Sequence, residues 1–157
     1  MPIKMRLWKI EDRELKPVQS EPLASEDVLE DWLVGDISMV ADDLLVIDRQ
    51  VQSKLGGILD VLAMDRNGDL AVLELKRDKI PRDVVAQVLE YAAWVRTLSW
   101  EDIAEIARVF HGDTPLEEKF QEKFGEPLPE TVNAAHRMYI VAAEIVLPPQ
   151  KPVRVLC

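Results

Sequence analysis

With 157 residues the chain has the size of one domain and can bury a substantial core, and its 48% hydrophobic and 31% charged residues are ordinary for a globular protein. It contains no run of about 20 apolar residues of the kind a membrane helix requires. A net charge of −10 argues against a protein that coats nucleic acid by bulk attraction, and a lone cysteine, Cys157, leaves no disulfide framework and no cysteine zinc cluster.

The opening "MPIKMRLWKIEDRELK" alternates charged and apolar residues and lacks the apolar h-region of a signal peptide, so a cytoplasmic location is expected. Within it, "IKMRLWKI" alternates as a strand does. "SEDVLEDWLVGD" reads as a helix: Ser25 is a suitable N-cap, Glu26 and Asp27 suit the positive end of the dipole, and Gly35 can end it. On a helical wheel Val28, Leu29, Trp32 and Leu33 form the apolar arc. Glu26 borders that arc, and Glu30, its i+4 neighbour, lies further toward solvent. "DLLVIDRQ" (Asp43–Gln50) is a short strand, and "GGILDVLAMDRNGDLAVLELKR" (Gly56–Arg77) reads as two strands joined by a tight turn. "PRDVVAQVLEYAAWVRTL" is a helix with Pro81 in its first turn, followed by helices over "WEDIAEIARVF" and "PLEEKFQEKFG", the latter ended by Gly125. "EPLPETVN" is a loop, "RMYIVAAEIV" a last strand, and "LPPQKPVRVLC" a tail. The order predicts an α/β fold with a mixed sheet. One domain is expected over 1–147, with its core at 25–100, a helical and last-strand segment at 101–147, and a tail at 148–157.

Charge is distributed unevenly. Residues 1–48 carry 12 acids against 5 bases and 101–130 carry 9 against 3, whereas 49–100 carry 7 against 8. That balanced stretch holds a puzzle, because Asp60, Glu74 and Lys76 sit among apolar residues, where charge is costly unless it is offset. The turn "DRNGD" admits two registers. A two-residue Asn67-Gly68 turn of type I′ pairs Arg66 with Asp69 and puts Asp60 opposite Leu75. A three-residue loop with Gly68 left-handed, a G1 bulge, pairs Asp65 with Asp69, Met64 with Leu70, Leu62 with Val72 and Asp60 with Glu74. The second register sets two carboxylates face to face with Lys76 on the same side. Such a pair is repulsive unless a hard cation such as Mg²⁺ or Mn²⁺ sits between the oxygens. It is preferred here because it accounts for all three charged residues together. The plainer reading is an Asp60–Lys76 salt bridge with Glu74 facing solvent.

"ILD", a hairpin, "ELK" and then "QVLEY" together resemble the PD-(D/E)XK nuclease superfamily. Asp60 matches its first metal-binding aspartate, Glu74 and Lys76 its E-x-K, and Gln87 and Tyr91 the Q-x-x-x-Y element of the RecB-like branch. The stretch from Gly56 to Val95 is similar to DUF91-type endonuclease domains. The resemblance covers roughly Ser25 to Trp100 and implies a restriction-endonuclease-like αβββαβ core with helices flanking the sheet. It further implies a divalent-metal-dependent endonuclease hydrolysing DNA phosphodiester bonds, in repair or in defence. Asp60, Glu74 and the backbone carbonyl of Leu75 would hold Mg²⁺ or Mn²⁺, with a further acid from the first helix, Glu26 or else Glu30. Lys76 would orient or deprotonate water or stabilise charge, its pKa lowered by a nearby metal. Gln87 and Tyr91 would reach the site or the substrate backbone, or else pack and bind helix to sheet. Arg77, Lys79 and Arg82 would grip phosphates, or form a solvated rim.

Two features strain the resemblance. The acidic balance lacks the broad positive surface of a free-standing DNA nuclease, so a partner protein or a missing segment would supply the rest, while apolar residues near the tail would fit a homodimer. Similar proteins also continue past a strand like "YIVAAEI" with a further helix, where this chain runs into "VLPPQKPVRVLC". The alternative expectation is a catalytically silent nuclease-fold module for nucleic-acid or protein interaction. Trp94 and Trp100 are expected to pack, and His111 and His136 stand alone without a ligand partner.

Overall fold

The computed structural model describes residues 6–19, 22–79 and 83–144. Pro81, Arg82, the end of the last expected strand and the tail at 148–157 lie outside the described residues. Two short strands, β1 (Trp8–Glu11) and β2 (Glu14–Pro17), open the chain. They are followed by α1 (Glu26–Gly35), a 3₁₀ turn (Ile37–Met39), β3 (Leu44–Gln52), β4 (Ile58–Asp65) and β5 (Leu70–Lys79). Three helices come next, α2 (Val84–Val95), α3 (Trp100–His111) and α4 (Leu116–Phe124), and then β6 (His136–Glu144). No helix among the described residues is long and apolar enough to cross a membrane.

The main sheet has the order β3-β4-β5-β6, with β5 and β6 parallel and the other neighbours antiparallel. The expected α/β class with a mixed sheet is therefore what the chain adopts. Alternation along the strands separates two cores. Leu62, Met64, Leu70 and Val72 pack with Val88, Val95, Ile103 and Phe120 of α2, α3 and α4. Val61, Ala63, Ala71 and Leu73 pack with Leu29 and Leu33 of α1. The sheet thus carries one helix on one face and three on the other.

Local signals fix the helix ends. The Ser25 side chain accepts from Val28 N, Ser99 and Asp102 form a reciprocal capping box, and Gly125 ends α4 at φ +71°. The N-terminal strand finds its partner in β2 (Glu14–Pro17), a four-residue segment that sequence patterning did not single out as a strand. Asp12 and Arg13 between them both have positive φ, at 52° and 67°, as a type I′ turn requires. This hairpin forms its own two-stranded sheet and leaves Trp8, Ile10 and Leu15 exposed. Trp32, placed in the apolar arc of α1 by the wheel, is 55% exposed. The buried stripe of α1 is Leu29, Glu30 and Leu33, so the helix is rotated away from the arc that composition suggested.

Candidate metal centre

The turn between β4 and β5 sets the geometry of the site. Asp65 N donates to Asp69 O at 2.8 Å, Gly68 N donates to Asp65 O at 3.0 Å, and Gly68 has φ +80°. This is the three-residue loop with a left-handed glycine. The Asp65 carboxyl stabilises it from inside by accepting from Asn67 N and Asp69 N. The ladder then runs Met64 with Leu70, Leu62 with Val72 and Val61 with Leu73. That is the register that carries Asp60 toward Glu74.

The regular ladder stops one step short of that pair. Val61 packs in the α1 core, yet Leu59, two residues away, packs in the core of α2–α4. The alternation of β4 therefore changes phase at Asp60, and simple period-two counting does not describe its surroundings. β3 changes phase beside it: Arg49 pairs with Val61, Val51 pairs with Leu59, and Gln50 between them has φ +50°. Where the ladder gives out, Asp60 Oδ2 accepts from Leu75 N at 2.8 Å. A side-chain carboxyl replaces the cross-strand carbonyl.

Glu74 is buried, with 2% of its surface exposed, and its Oε1 accepts from Lys76 Nζ at 2.9 Å. Its other oxygen, Oε2, is buried with no hydrogen-bond partner. Burial raises the Glu74 pKa to about 7, helped by the neighbouring Asp60 carboxyl, against the opposing pull of Lys76. Burial also pushes Asp60 up, opposed by the Leu75 amide, the Lys76 charge and the Gln50 amide. For Lys76, burial favours the neutral form, but its hydrogen bond to Glu74 and the charges of Glu74, Glu26 and Asp60 outweigh it and raise its pKa. In the metal-free molecule the cluster thus favours the ammonium form of Lys76. These three residues form one coupled cluster; the Asp60–Lys76 salt bridge with a solvent-facing Glu74 is not the arrangement adopted.

The two acids of α1 exchange the places expected for them. Glu30 is buried at 4% exposure, ion-paired to Arg49 Nε and bonded by Gln50 Nε2 at 2.6 Å. Glu26 is exposed, and its Oε1 accepts from Arg77 N at 3.1 Å. Its charge still reaches Asp60 and Lys76. The wheel failed here because Arg49, a cation on β3, draws Glu30 inward. Among the described residues no group of three His, Cys, Asp or Glu side chains is placed to hold a metal. The carboxyl pair is Asp60 and Glu74, with neither α1 acid completing a triad.

Tyr91 is buried, and its hydroxyl donates to Ile58 O at 2.8 Å while accepting from Gln87 Nε2 at 3.1 Å. Tyr91, braced by Gln87, ties α2 to the start of β4, two positions before Asp60. Gly57 makes this approach feasible, since a Cβ there would lie 2.6 Å from the Tyr91 hydroxyl. The Arg77 guanidinium donates from Nη1 to Ala24 O at 3.2 Å on the exposed rim. The side chain of Lys79 and all of Arg82 lie outside the described residues. Trp94 is core, and His111 Nε2 bonds Val46 O at 2.8 Å, a structural contact. Sequence reasoning missed Gln50, which touches Asp60 Oδ1 at 3.3 Å; no spacing rule marks a glutamine for that place.

No family model matches the chain, and no curated protein matches it. Among solved structures it is similar to a repair endonuclease from Pyrococcus abyssi, with TM-score 0.48 and 19% identity over 85% of this chain and 47% of that one. It is also similar to the EndoMS–double-stranded DNA complex, with TM-score 0.47 and 22% identity over 84% of this chain and 43% of that one. The chain spans less than half the length of either, and neither likeness assigns a residue or an activity to it.

Proposed function

We propose that the chain is a divalent-metal-dependent endonuclease that hydrolyses DNA phosphodiester bonds. The observation that carries this reading is the buried, unpartnered Glu74 Oε2 beside a second carboxyl. A buried acceptor without a donor is costly, and a hard cation satisfies it as oxygen ligands prefer. Asp60, Glu74 and the Leu75 carbonyl would hold Mg²⁺ or Mn²⁺. Two carboxylates and a carbonyl suit Mg²⁺, which keeps several waters and completes its shell with substrate phosphate. When bound, the ion supplies a water of lowered pKa and neutralises charge on the phosphate.

The chain's own residues supply the rest. Lys76, held at Glu74, would orient or deprotonate the attacking water or stabilise negative charge as it builds on the phosphate. Glu74 holds that ammonium through Oε1, and the Asp60 charge adds to the attraction. Glu26 and Arg77 lie at the exposed rim, where they would orient water or the substrate backbone. DNA as the substrate is supported by the resemblance of Asp60, Glu74-Leu75-Lys76 and Gln87-to-Tyr91 to the nuclease superfamily. The acidic surface favours the competing silent-module reading, so the experiment must separate them. Cleavage of single-stranded, duplex and branched DNA is measured with Mn²⁺, with EDTA, and with Glu74→Gln and Lys76→Met. Cutting that stops with EDTA and with each variant supports the nuclease. Absence of cutting by wild type on all three substrates, or equal cutting by the variants, overturns it.

A further inference from the structure

Gln50 lies within β3 yet has φ +50°, a left-handed conformation that glycine or asparagine adopts more readily. Such a conformation persists where surrounding contacts over-determine it. The contacts come from the side chain. Nε2 donates to Glu30 Oε2 at 2.6 Å and to Asp60 Oδ1 at 3.3 Å, so the amide links α1 to the carboxyl on β4. The α1 end is firmly fixed, since Glu30 is buried and its other oxygen is held by Arg49 Nε, whose Nη2 reaches Asp31 at 2.7 Å. The second oxygen of Asp60 accepts from Leu75 N at 2.8 Å. Donors on both oxygens thus set the plane of the Asp60 carboxyl.

We propose that Gln50 is a positioning residue for Asp60: its left-handed backbone turns the amide out of the strand's alternation, Glu30 orients it, and Asp60 is thereby aimed at Glu74. The proposal rests on the reading of Asp60 and Glu74 as cation ligands, and it makes Glu30 an anchor in place of a ligand. Each Asp60 oxygen keeps a second lone pair for the ion. Groups that orient a metal-binding side chain commonly change metal affinity by about 10- to 100-fold when removed.

Gln50→Gly separates positioning from backbone strain, because glycine accepts the left-handed backbone and removes the side chain that bears the amide. Gln50→Asn is the second variant; it tolerates the same φ but is one methylene too short to span Glu30 and Asp60. Mn²⁺ affinity is measured by calorimetry, and Leu75 amide exchange is measured in EDTA as a metal-free readout. The expected result is folded variants, Mn²⁺ affinity lower by about tenfold or more, and faster exchange at Leu75 with Leu62 and Val72 unchanged. Wild-type affinity in both variants overturns the proposal. If wild type binds no Mn²⁺, the metal reading fails, and Leu75 exchange alone then decides the role of Gln50: unchanged exchange overturns it.

Discussion

Replacing Glu74 by Gln should make the metal-free protein more stable at alkaline pH while it removes cleavage. Glu74 titrates near 7 in the fold against an ordinary value of 4.5. Each pH unit of that displacement corresponds to 1.36 kcal/mol, so the ionised side chain opposes folding by about 3 kcal/mol once pH is well above 7. The sign follows from proton binding. Between roughly pH 4.5 and 7 the folded state holds a proton that the unfolded state has lost, so this contribution to stability declines as pH rises. It is fully present below 4.5 and gone above 7. Glutamine keeps the shape and an acceptor for Lys76 and carries an N–H toward Asp60, so it mimics the protonated acid at every pH. The assay is urea unfolding in EDTA at pH 5 and pH 8, followed by tryptophan fluorescence. Glu74→Gln should exceed wild type at pH 5 by no more than about 1 kcal/mol and at pH 8 by about 3 kcal/mol. Added Mn²⁺ should erase the advantage by stabilising wild type alone. A difference independent of pH, or a variant less stable at pH 8, would refute the reasoning.

The partner of that carboxyl gives the opposite result: Lys76→Met should lower metal-free stability at pH 8 by about 1.5–3 kcal/mol, since it deletes a hydrogen bond to a charged, buried group, and urea unfolding reads this directly. Gly57→Ala should displace Tyr91 from Ile58 O, because its Cβ would lie 2.8 Å from the Tyr91 ring as well as against the hydroxyl. A loss of about 1–3 kcal/mol is expected, and cleavage should fall with it as β4 shifts at Asp60; unchanged unfolding would contradict the contact. Gly68→Ala should cost about 1–2 kcal/mol in the same assay, because the loop requires φ +80° there.

The parts legible in the sequence were those set by local chemistry. The turn Asp65-Arg66-Asn67-Gly68-Asp69 marks a left-handed glycine but leaves two loop lengths open, and the pairing of Leu62 with Val72 was selected by the three charged residues that it brings together. Ser25, Ser99 and Gly125 mark helix ends because their side chains, or the lack of one, act within a single turn. The details lost were those set by distant partners. The wheel cannot see Arg49, so it could not bring Glu30 inward or leave Trp32 exposed. Period-two counting cannot see that β3 and β4 change phase together at Gln50 and Asp60, since that depends on which core Leu59 and Val61 enter. β2 was missed because four exposed residues ending in proline give only a short strand signal. The cluster of Asp60, Glu74 and Lys76 was therefore readable as a cluster, while its supporting contacts, Gln50 above all, were not.

The most direct test is a crystal soaked in Mn²⁺, with anomalous difference density calculated around the carboxyl pair. A peak within about 2.5 Å of one oxygen from each of Asp60 and Glu74, with the Leu75 carbonyl also in reach, is the expected result. Empty density there at saturating Mn²⁺, with Lys76 still seated on Glu74, would contradict the account.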